Sequence, residues 1–167
     1  MTWGSKEAVG GESAHWHSLV YGNGRWLALG DRVRKVSDNG LDWHDIASFD
    51  DGLFASVAFG KGQFVAVGKV AIVTADGGAG AAGWVATSVD GVTWAQTATI
   101  TTRYDTGLES IAYVDGQFVA AGWRTEAAIY VPDAGEFVST FTGRRPNKYD
   151  DGGVLEPWFI GFGAGKL

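Results

Sequence analysis

The chain repeats one 13-residue pattern three times, and this repetition constrains its fold more than any other feature. The copies occupy residues 18–30, 56–68 and 110–122. Each copy consists of an apolar run, a turn that contains glycine, and a second apolar run. Because glycine tolerates the positive φ of tight hairpin turns, each copy predicts two short antiparallel strands.

The second strand of the middle copy is apolar at consecutive positions. Residues 64–67 read Phe-Val-Ala-Val, whereas a strand with one solvated face alternates between apolar and polar residues. We therefore expect this strand to be buried on both faces, in a sheet that lies between two other sheets.

A second pattern follows the first in each unit. Residues 36–43 match residues 87–94, and residues 130–137 are a divergent copy. Each reads as a strand, a turn with hydroxyl and carboxylate side chains, a glycine, and an aromatic residue. Serine and aspartate accept hydrogen bonds from turn amides, and the aromatic ring returns to the interior. The residues predicted to build the two clear turns are Ser37, Asp38, Gly40, Trp43, Ser88, Asp90, Gly91 and Trp94.

The two patterns together give four strands per unit. The first strands of successive units begin at residues 18, 56, 110 and 159. Four strands in a unit of roughly 40–50 residues are typical of a propeller blade. The expected fold class is all-β: a β-propeller of four-stranded antiparallel blades, with three full blades, one blade split between the termini, and almost no helix.

The turn at residues 88–94 resembles the Asp-box (BNR) repeat, Ser-x-Asp-x-Gly-x-Thr-Trp, in a form one residue shorter. The half-unit before it is similar to repeats of bacterial and bacteriophage β-propellers, including tail-associated proteins of actinobacterial phages. The resemblance covers most of residues 16–167. It implies that the Asp-box lies at the blade periphery, away from the ligand face, in a structural role. The third unit departs from the pattern, with Pro132 in the turn region and Phe137 in place of tryptophan.

Segments at both ends of the chain match parts of one unit. Residues 158–167 align with residues 55–64, and Thr2-Trp3 matches Thr93-Trp94. Either one chain closes on itself as a small ring, or the split blade is completed by an identical subunit or another protein. Because an unpaired terminal strand is an exposed sheet edge, we expect a partner. The predicted single domain, residues 1–167, has blade units at residues 16–50, 54–103 and 108–145 and a split unit at 156–167 with 1–8.

The loops between second and third strands, and between blades, open on one face of a propeller. A long loop, rich in glycine and alanine, is expected there over residues 69–83. An aromatic residue and a carboxylate recur before the first strands, an arrangement that suits either a sugar-binding site or an Asp-x-Gly turn. A basic stretch at residues 143–149 suits a bound carboxylate or phosphate, or a solvated loop. The candidate ligand-binding residues are Trp123, Arg124, Tyr104, Asp105, Arg144, Arg145, Tyr149 and Asp150.

Composition and spacing argue against several other functions. The net charge of −6 argues against a general binder of nucleic acid or anionic membranes. No apolar run approaches the roughly 18 residues of a membrane helix, and the N-terminus lacks the apolar core of a signal peptide. Cysteine is absent, which removes thiol chemistry.

No metal, cofactor or catalytic residue is predicted. His15 and His17 share one strand face, but no carboxylate cluster accompanies them, which favours a polar strand edge. Residues 38–42 resemble part of a calcium loop, yet Ala47 stands where the bidentate glutamate belongs. The Asp-box also occurs in sialidases, but the chain lacks their Arg-Ile-Pro segment and is about half their usual length.

The expected function is therefore a non-enzymatic structural and binding one. The resemblance implies a phage virion protein, minor tail or surface-exposed, that mediates assembly or host attachment. Its expected partners are other virion proteins, identical subunits that share a blade, and a host-surface glycan. The alternative is a lectin-like or sialidase-related carbohydrate-binding propeller, secreted or on the surface of a bacterium.

Overall fold

The computed structural model describes residues 15–30, 33–46, 52–74, 77–100, 107–123, 127–131 and 136–141. All regular elements in these ranges are β-strands. Their bounds are β1 Trp16–Gly22, β2 Arg25–Gly30, β3 Arg34–Ser37, β4 His44–Asp45, β5 Leu53–Gly60, β6 Gln63–Val73, β7 Ala79–Ser88, β8 Ala95–Ile100, β9 Gly107–Val114, β10 Gln117–Trp123, β11 Ala127–Val131 and β12 Glu136–Phe141.

The strands form three four-stranded antiparallel sheets in which neighbours in sequence are neighbours in space. Sheet A contains β1 to β4, sheet B contains β5 to β8, and sheet C contains β9 to β12. Each sheet is a simple meander, the topology of a propeller blade. The structure thus confirms the expectation of an all-β chain built of four-stranded antiparallel sheets.

Two-residue turns join the first two strands of every sheet. Both residues have positive φ in each turn: Asn23-Gly24, Lys61-Gly62 and Asp115-Gly116. This is the type I′ geometry, whose twist matches the twist of the flanking strands. In a meander the link between the third and fourth strands lies at the same end of the sheet. We call this end the turn end.

The core lies in two layers on either side of sheet B. Phe64 and Ala66 pack toward sheet A, in a cluster with Leu27 and Leu29 of β2. Val65 and Val67 pack toward sheet C, with Leu108 and Phe118 among their neighbours. Residues 64–67 of β6 are all fully buried. The expectation that this strand is buried on both faces is confirmed.

The expectation of a loop over residues 69–83 is wrong. These residues form a long hairpin, paired from Lys69 opposite Gly83 to Val73 opposite Ala79. The Gly77 amide donates to the Thr74 carbonyl at 2.8 Å and closes the turn. The alanines and glycines on β7 have low β-propensity, but they pair with branched residues on β6. Such cross-strand pairing outweighs intrinsic propensity. We call residues 69–83 the arm, and the end of the sheets from which it extends the arm end.

Candidate functional site

The turn between β7 and β8 is held by its own serine and aspartate. The Gly91 amide donates to Ser88 Oγ at 2.9 Å, and the Ser88 hydroxyl donates to Asp90 Oδ1 at 3.0 Å. The amides of Val92 and Thr93 both donate to Asp90 Oδ1, at 2.8 and 2.7 Å. One carboxylate oxygen therefore accepts three of the hydrogen bonds that hold the turn, and the serine hydroxyl accepts the fourth.

The same hydrogen bonds determine the acidity of Asp90. Burial by itself raises the pKa of this carboxyl, but hydrogen bonds from the Thr93 and Val92 amides outweigh burial. Together with side-chain bonds from Ser88 and Thr93, they lower the pKa from 3.8 to about 2. The carboxylate is thus ionised and engaged with its own turn.

The indole of Trp94 closes this turn on its inner side. Its Nε1 donates to the Gly91 carbonyl at 3.1 Å, and the side chain is 9% exposed. The ring belongs to the core cluster between sheets A and B. Turn and core are therefore one structural unit.

The turn between β3 and β4 has the same design with a different acceptor. Asn39 Oδ1 accepts from the amides of Leu41 and Asp42, at 2.8 and 2.9 Å. Ser37 Oγ accepts from the Gly40 amide at 2.9 Å. Asp38 is the first residue of this turn, but its carboxylate pairs with Arg25 Nε at 2.8 Å and is not the acceptor of the turn amides. Asn39 stands at the position of Asp90 in the aligned turns, a signal that the sequence already carried.

Polar side chains join sheet A to sheet B at the turn end. Asn23 Nδ2 donates to the carbonyls of Gly62 and Val89, both at 2.8 Å. Arg25 donates to the Asp90 carbonyl at 3.2 Å. These contacts tie the hairpin turn of one sheet to both turns of the next, so the turn end serves the stacking of the sheets.

An aromatic residue near the end of the first strand also joins sheet B to sheet A, and sheet C to sheet B. A Cβ placed on Gly22 would overlap the ring of Phe59, and a Cβ placed on Gly60 would overlap the ring of Tyr113. Each ring thus lies against a glycine of the preceding sheet, where only hydrogen fits. The signal was the recurring aromatic-glycine pair, which sequence reasoning read only as part of a hairpin.

Within the described residues, no neighbouring sheet covers the corresponding face of sheet A. Leu19 is 61% exposed and Tyr21 is 54% exposed. Among the residues described, the Tyr21 ring packs on its cross-strand neighbour Trp26, at 4.9 Å between centroids. We call this side of sheet A the open face. A shallow depression lies on it, lined by Trp16, His17, Ser18, Leu19, Ala28 and Trp43.

The arm end holds what the structure describes of the predicted ligand face. Trp123 is the last residue of β10 and pairs with Gly107. A Cβ on Gly107 would lie 3.5 Å from the Lys69 Cβ, so the base of the arm is close to this pair. The other predicted ligand residues, and the Trp123 side chain, lie outside the described residues: Arg124, Tyr104, Asp105, Arg144, Arg145, Tyr149 and Asp150.

The arm carries an exposed apolar side chain next to its tip. Val73 is 80% exposed, the most of any large apolar side chain that the structure describes. Beyond Lys69, the arm is a two-stranded ribbon, because β5 pairs with β6 only as far as that residue. The arm therefore presents an exposed apolar side chain at one end of the stacked sheets.

The histidines do not form a metal centre with other described residues. His15, His17 and His44 are exposed. In the part of the chain that the structure describes, no three histidine or acidic side chains are grouped as a metal site would require. The same part contains no helix with the length and hydropathy of a membrane span.

The sequence matches no protein-family model and no curated protein. Among solved structures, the chain is similar to the GH32 beta-fructofuranosidase BmSUC1 of Bombyx mori, at 13% identity and a TM-score of 0.46. The match covers 75% of this chain and 36% of that enzyme, so the chain spans about a third of the enzyme's length. Likeness at this level concerns the fold alone, and the propeller-like architecture rests on the three sheets themselves.

Proposed function

We propose that this protein is an Asp-box β-propeller that serves as a structural and binding component of a bacteriophage virion, without enzymatic activity. In this proposal it is a minor tail protein or another surface-exposed protein, and it mediates assembly or attachment to the host. The observation that carries the proposal is the arm, a hairpin with an exposed valine next to its tip, which extends from the stacked sheets at the end opposite the structural turns.

The two serine turns support the Asp-box assignment. Ser88 and Asp90 direct their side chains into their own turn, and the Trp94 indole binds the same turn from the core. The turn at Asn39 repeats this arrangement in sheet A. Side chains that hydrogen-bond within their own turn stabilise the fold. We therefore assign recognition of a partner to the arm end.

The repeated units support a ring of three full blades and a fourth that is split between the termini. Sheets A, B and C correspond to the full blades. The split blade offers a place where identical subunits or neighbouring virion proteins join the ring. Many copies on one particle would add avidity to a weak individual contact.

The arm gives this surface its binding chemistry. An exposed valine at this place suits an apolar patch on a neighbouring virion protein or on a protein of the host envelope. The predicted aromatic and basic residues, among them Trp123 and Arg144, would add stacking and anion contacts if the partner carries glycans or carboxylates.

Mass spectrometry of purified particles tests the virion assignment. Peptides of this chain should be present at constant stoichiometry in particles after gradient purification and after a high-salt wash. Peptides that occur only in the soluble lysate fraction would contradict the assignment.

A matched pair of variants tests the role of the arm. Val73→Lys places a charge at the arm tip, whereas Val89→Lys places the same charge at a 69% exposed valine of the turn end. Labelled Val73→Lys protein should lose at least about tenfold in binding to host cells or to particles that lack the protein, which corresponds to about 1.4 kcal/mol. Val89→Lys protein should bind as the parent does. Equal binding by both variants would exclude the arm as the contact.

A glycan array separates protein recognition from glycan recognition. Binding of the parent protein to a defined glycan, and its loss in Trp123→Ala, would favour the lectin-like alternative. An empty array at millimolar concentration, together with binding to cells, would favour a protein partner.

A further inference from the structure

We infer that Asn23 is a site of spontaneous deamidation, and that its conversion to an acid permanently weakens the junction between sheets A and B at the turn end. An asparagine that precedes glycine is prone to this reaction, because glycine has no side chain to shield its backbone nitrogen. The chain contains two such dipeptides, Asn23-Gly24 and Asn39-Gly40. The structure distinguishes the two sites, and neither their reactivity nor its consequence depends on the proposed function.

The reaction consumes water and releases ammonia. The backbone nitrogen of the glycine loses its proton and forms a bond to the side-chain Cγ of the asparagine. The bond from Cγ to Nδ2 breaks, ammonia leaves with the proton, and a succinimide ring remains. Water then opens the ring at either carbonyl carbon and gives aspartate or isoaspartate. Both products carry a carboxylate in place of the amide, so the NH₂ donor is lost.

The surroundings of Asn23 give access to the reacting atoms. Asn23 and Gly24 are both exposed in the hairpin turn of sheet A, and a Cβ placed on Gly24 would meet nothing within 4 Å. Asn23 Nδ2 donates to the carbonyls of Gly62 and Val89, both at 2.8 Å. Reaction at Cγ therefore requires a local opening that releases these two bonds. An opening that is reversible in the fresh protein becomes permanent once the residue has reacted.

The second asparagine-glycine pair is held more firmly. The Gly40 amide, which would be the nucleophile, donates to Ser37 Oγ at 2.9 Å. Asn39 Oδ1 accepts two turn amides, and its Nδ2 donates to Asp42 Oδ2 at 2.7 Å. The nucleophile and both ends of the side chain are thus engaged within one turn, so the opening that permits reaction is less favourable than at Asn23.

Deamidation of Asn23 replaces a donor with an acceptor at the junction of two sheets. The new carboxylate faces the two carbonyls that the amide had bound, and these are acceptors as well. The nearby cation Arg25 is already bound to Asp38 at 2.8 Å and to the Asp90 carbonyl at 3.2 Å. Two carbonyls without their donor, and a negative charge beside them, favour the open form of the turn end.

The same change at Asn39 has a smaller effect. The aspartate product keeps Oδ1, the atom that accepts the turn amides, and Asp90 performs this role in sheet B. The bond from Nδ2 to Asp42 is lost, but it lies within the turn and joins no two sheets. Of the two dipeptides, Asn23-Gly24 therefore carries the consequence for the stacking of the sheets.

Incubation of the full-length protein at neutral pH in isotopically labelled water, followed by mass spectrometry of its peptides, tests the reaction. In the native protein, Asn23 should convert at least about tenfold faster than Asn39, the ratio that corresponds to about 1.4 kcal/mol. In denaturant the two rates should approach each other, because the fold no longer protects either site. Similar rates in the native protein, faster conversion of Asn39, or an unreactive Asn23 would each overturn the inference.

Asn23→Gly is the matched control for the consequence, because glycine adopts the positive φ of this position and has no side-chain amide. As Asn23 converts in the parent protein, the Tm should fall by roughly 2–4 °C. Asn23→Gly protein should keep its own initial Tm throughout the same incubation. Conversion of Asn23 without a fall in the Tm, or an equal fall in the control, would overturn the inference.

Hydrogen exchange locates the effect within the molecule. Amides of residues 88–94 should exchange faster in the aged protein than in the fresh one, whereas amides of the arm should exchange at an unchanged rate. Asn23→Asp protein should show this pattern without ageing, and Asn39→Asp protein should not. Faster exchange in the arm and the turn end alike would indicate a general loss of stability and would overturn the inference.

Discussion

At the scale of single residues, the two serine turns differ in the side chain that accepts the turn amides. One turn uses a carboxylate and the other uses a side-chain amide. Asp90 and Asn39 each accept two turn amides through Oδ1. Only Asp90 can titrate, and its pKa is lowered to about 2. The comparison separates what the acceptor geometry contributes from what the negative charge adds.

Asp90 should make part of the stability depend on acid. Because the pKa of the folded state lies below the unfolded value of 3.8, the contribution is complete above that value and is lost as pH falls toward about 2. Asp90→Asn should therefore lower the free energy of unfolding at pH 7 by about 1 kcal/mol, after allowance for solvent screening, and leave stability near pH 2 unchanged. Urea unfolding at a series of pH values measures this difference.

Asp115→Asn is the control for the loss of one negative charge. Asp115 lies in the type I′ turn of sheet C with φ of 47°, a conformation that asparagine also favours. This variant should retain the parent's loss of stability between pH 4 and 2. The account of Asp90 would be wrong if both variants altered that loss equally.

Gly22 should be intolerant of a side chain because of Phe59. Gly22→Ala places a methyl group inside the ring position and should lower the free energy of unfolding by about 1–3 kcal/mol. Gly107→Ala, whose Cβ has only an ordinary contact at 3.5 Å, should cost less. In a double-mutant cycle, Phe59→Ala should recover part of the loss in Gly22→Ala, with a coupling of about 1 kcal/mol. Strict additivity in thermal unfolding would argue against the ring-on-glycine contact.

At the scale of elements, local pattern predicted the strands better than it predicted their extent. The apolar runs and turn glycines correctly indicated paired strands such as β5 and β6. The arm was missed because Ala79 to Gly83 have low β-propensity, whereas cross-strand pairing with residues 69–73 is a contact that no local window contains. Asn39 was missed as the acceptor for a different reason. The adjacent Asp38 is the residue type that the repeat pattern requires, but it lies one position before the acceptor position.

The arm should be separable from the stability of the fold. Deletion of Ile72 and Val73 together with Ala79 and Gly80 removes two facing pairs and keeps the side-chain alternation of the remaining ladder. Since the tip lies outside both core clusters, the shortened protein should unfold within about 1 kcal/mol of the parent. A larger loss in thermal or urea unfolding would show that the arm supports the core.

At the scale of the whole molecule, the sheets stack through contacts that recur between sheets A and B and between sheets B and C. Apolar side chains of each sheet meet the next, and an aromatic ring lies on a glycine of the sheet before it. Sequence repetition predicted the number of strands in a unit and the double burial of β6. It did not predict which side chains join the sheets, because contacts between units depend on the relative placement of distant strands. The predicted ligand residues other than Trp123 lie outside the described residues, so their arrangement stays a prediction.

The central claim is that the open face of sheet A is an interface of the complete ring. Thiol labelling tests it most directly, since Leu19→Cys and Leu41→Cys each introduce the only thiol of the chain. The account predicts that a maleimide reacts with Leu19→Cys at least about tenfold more slowly, the ratio that corresponds to protection by about 1.4 kcal/mol. Denaturant should make the two rates equal. Equal rates in the native protein would mean that the face is open to water, and would contradict the account.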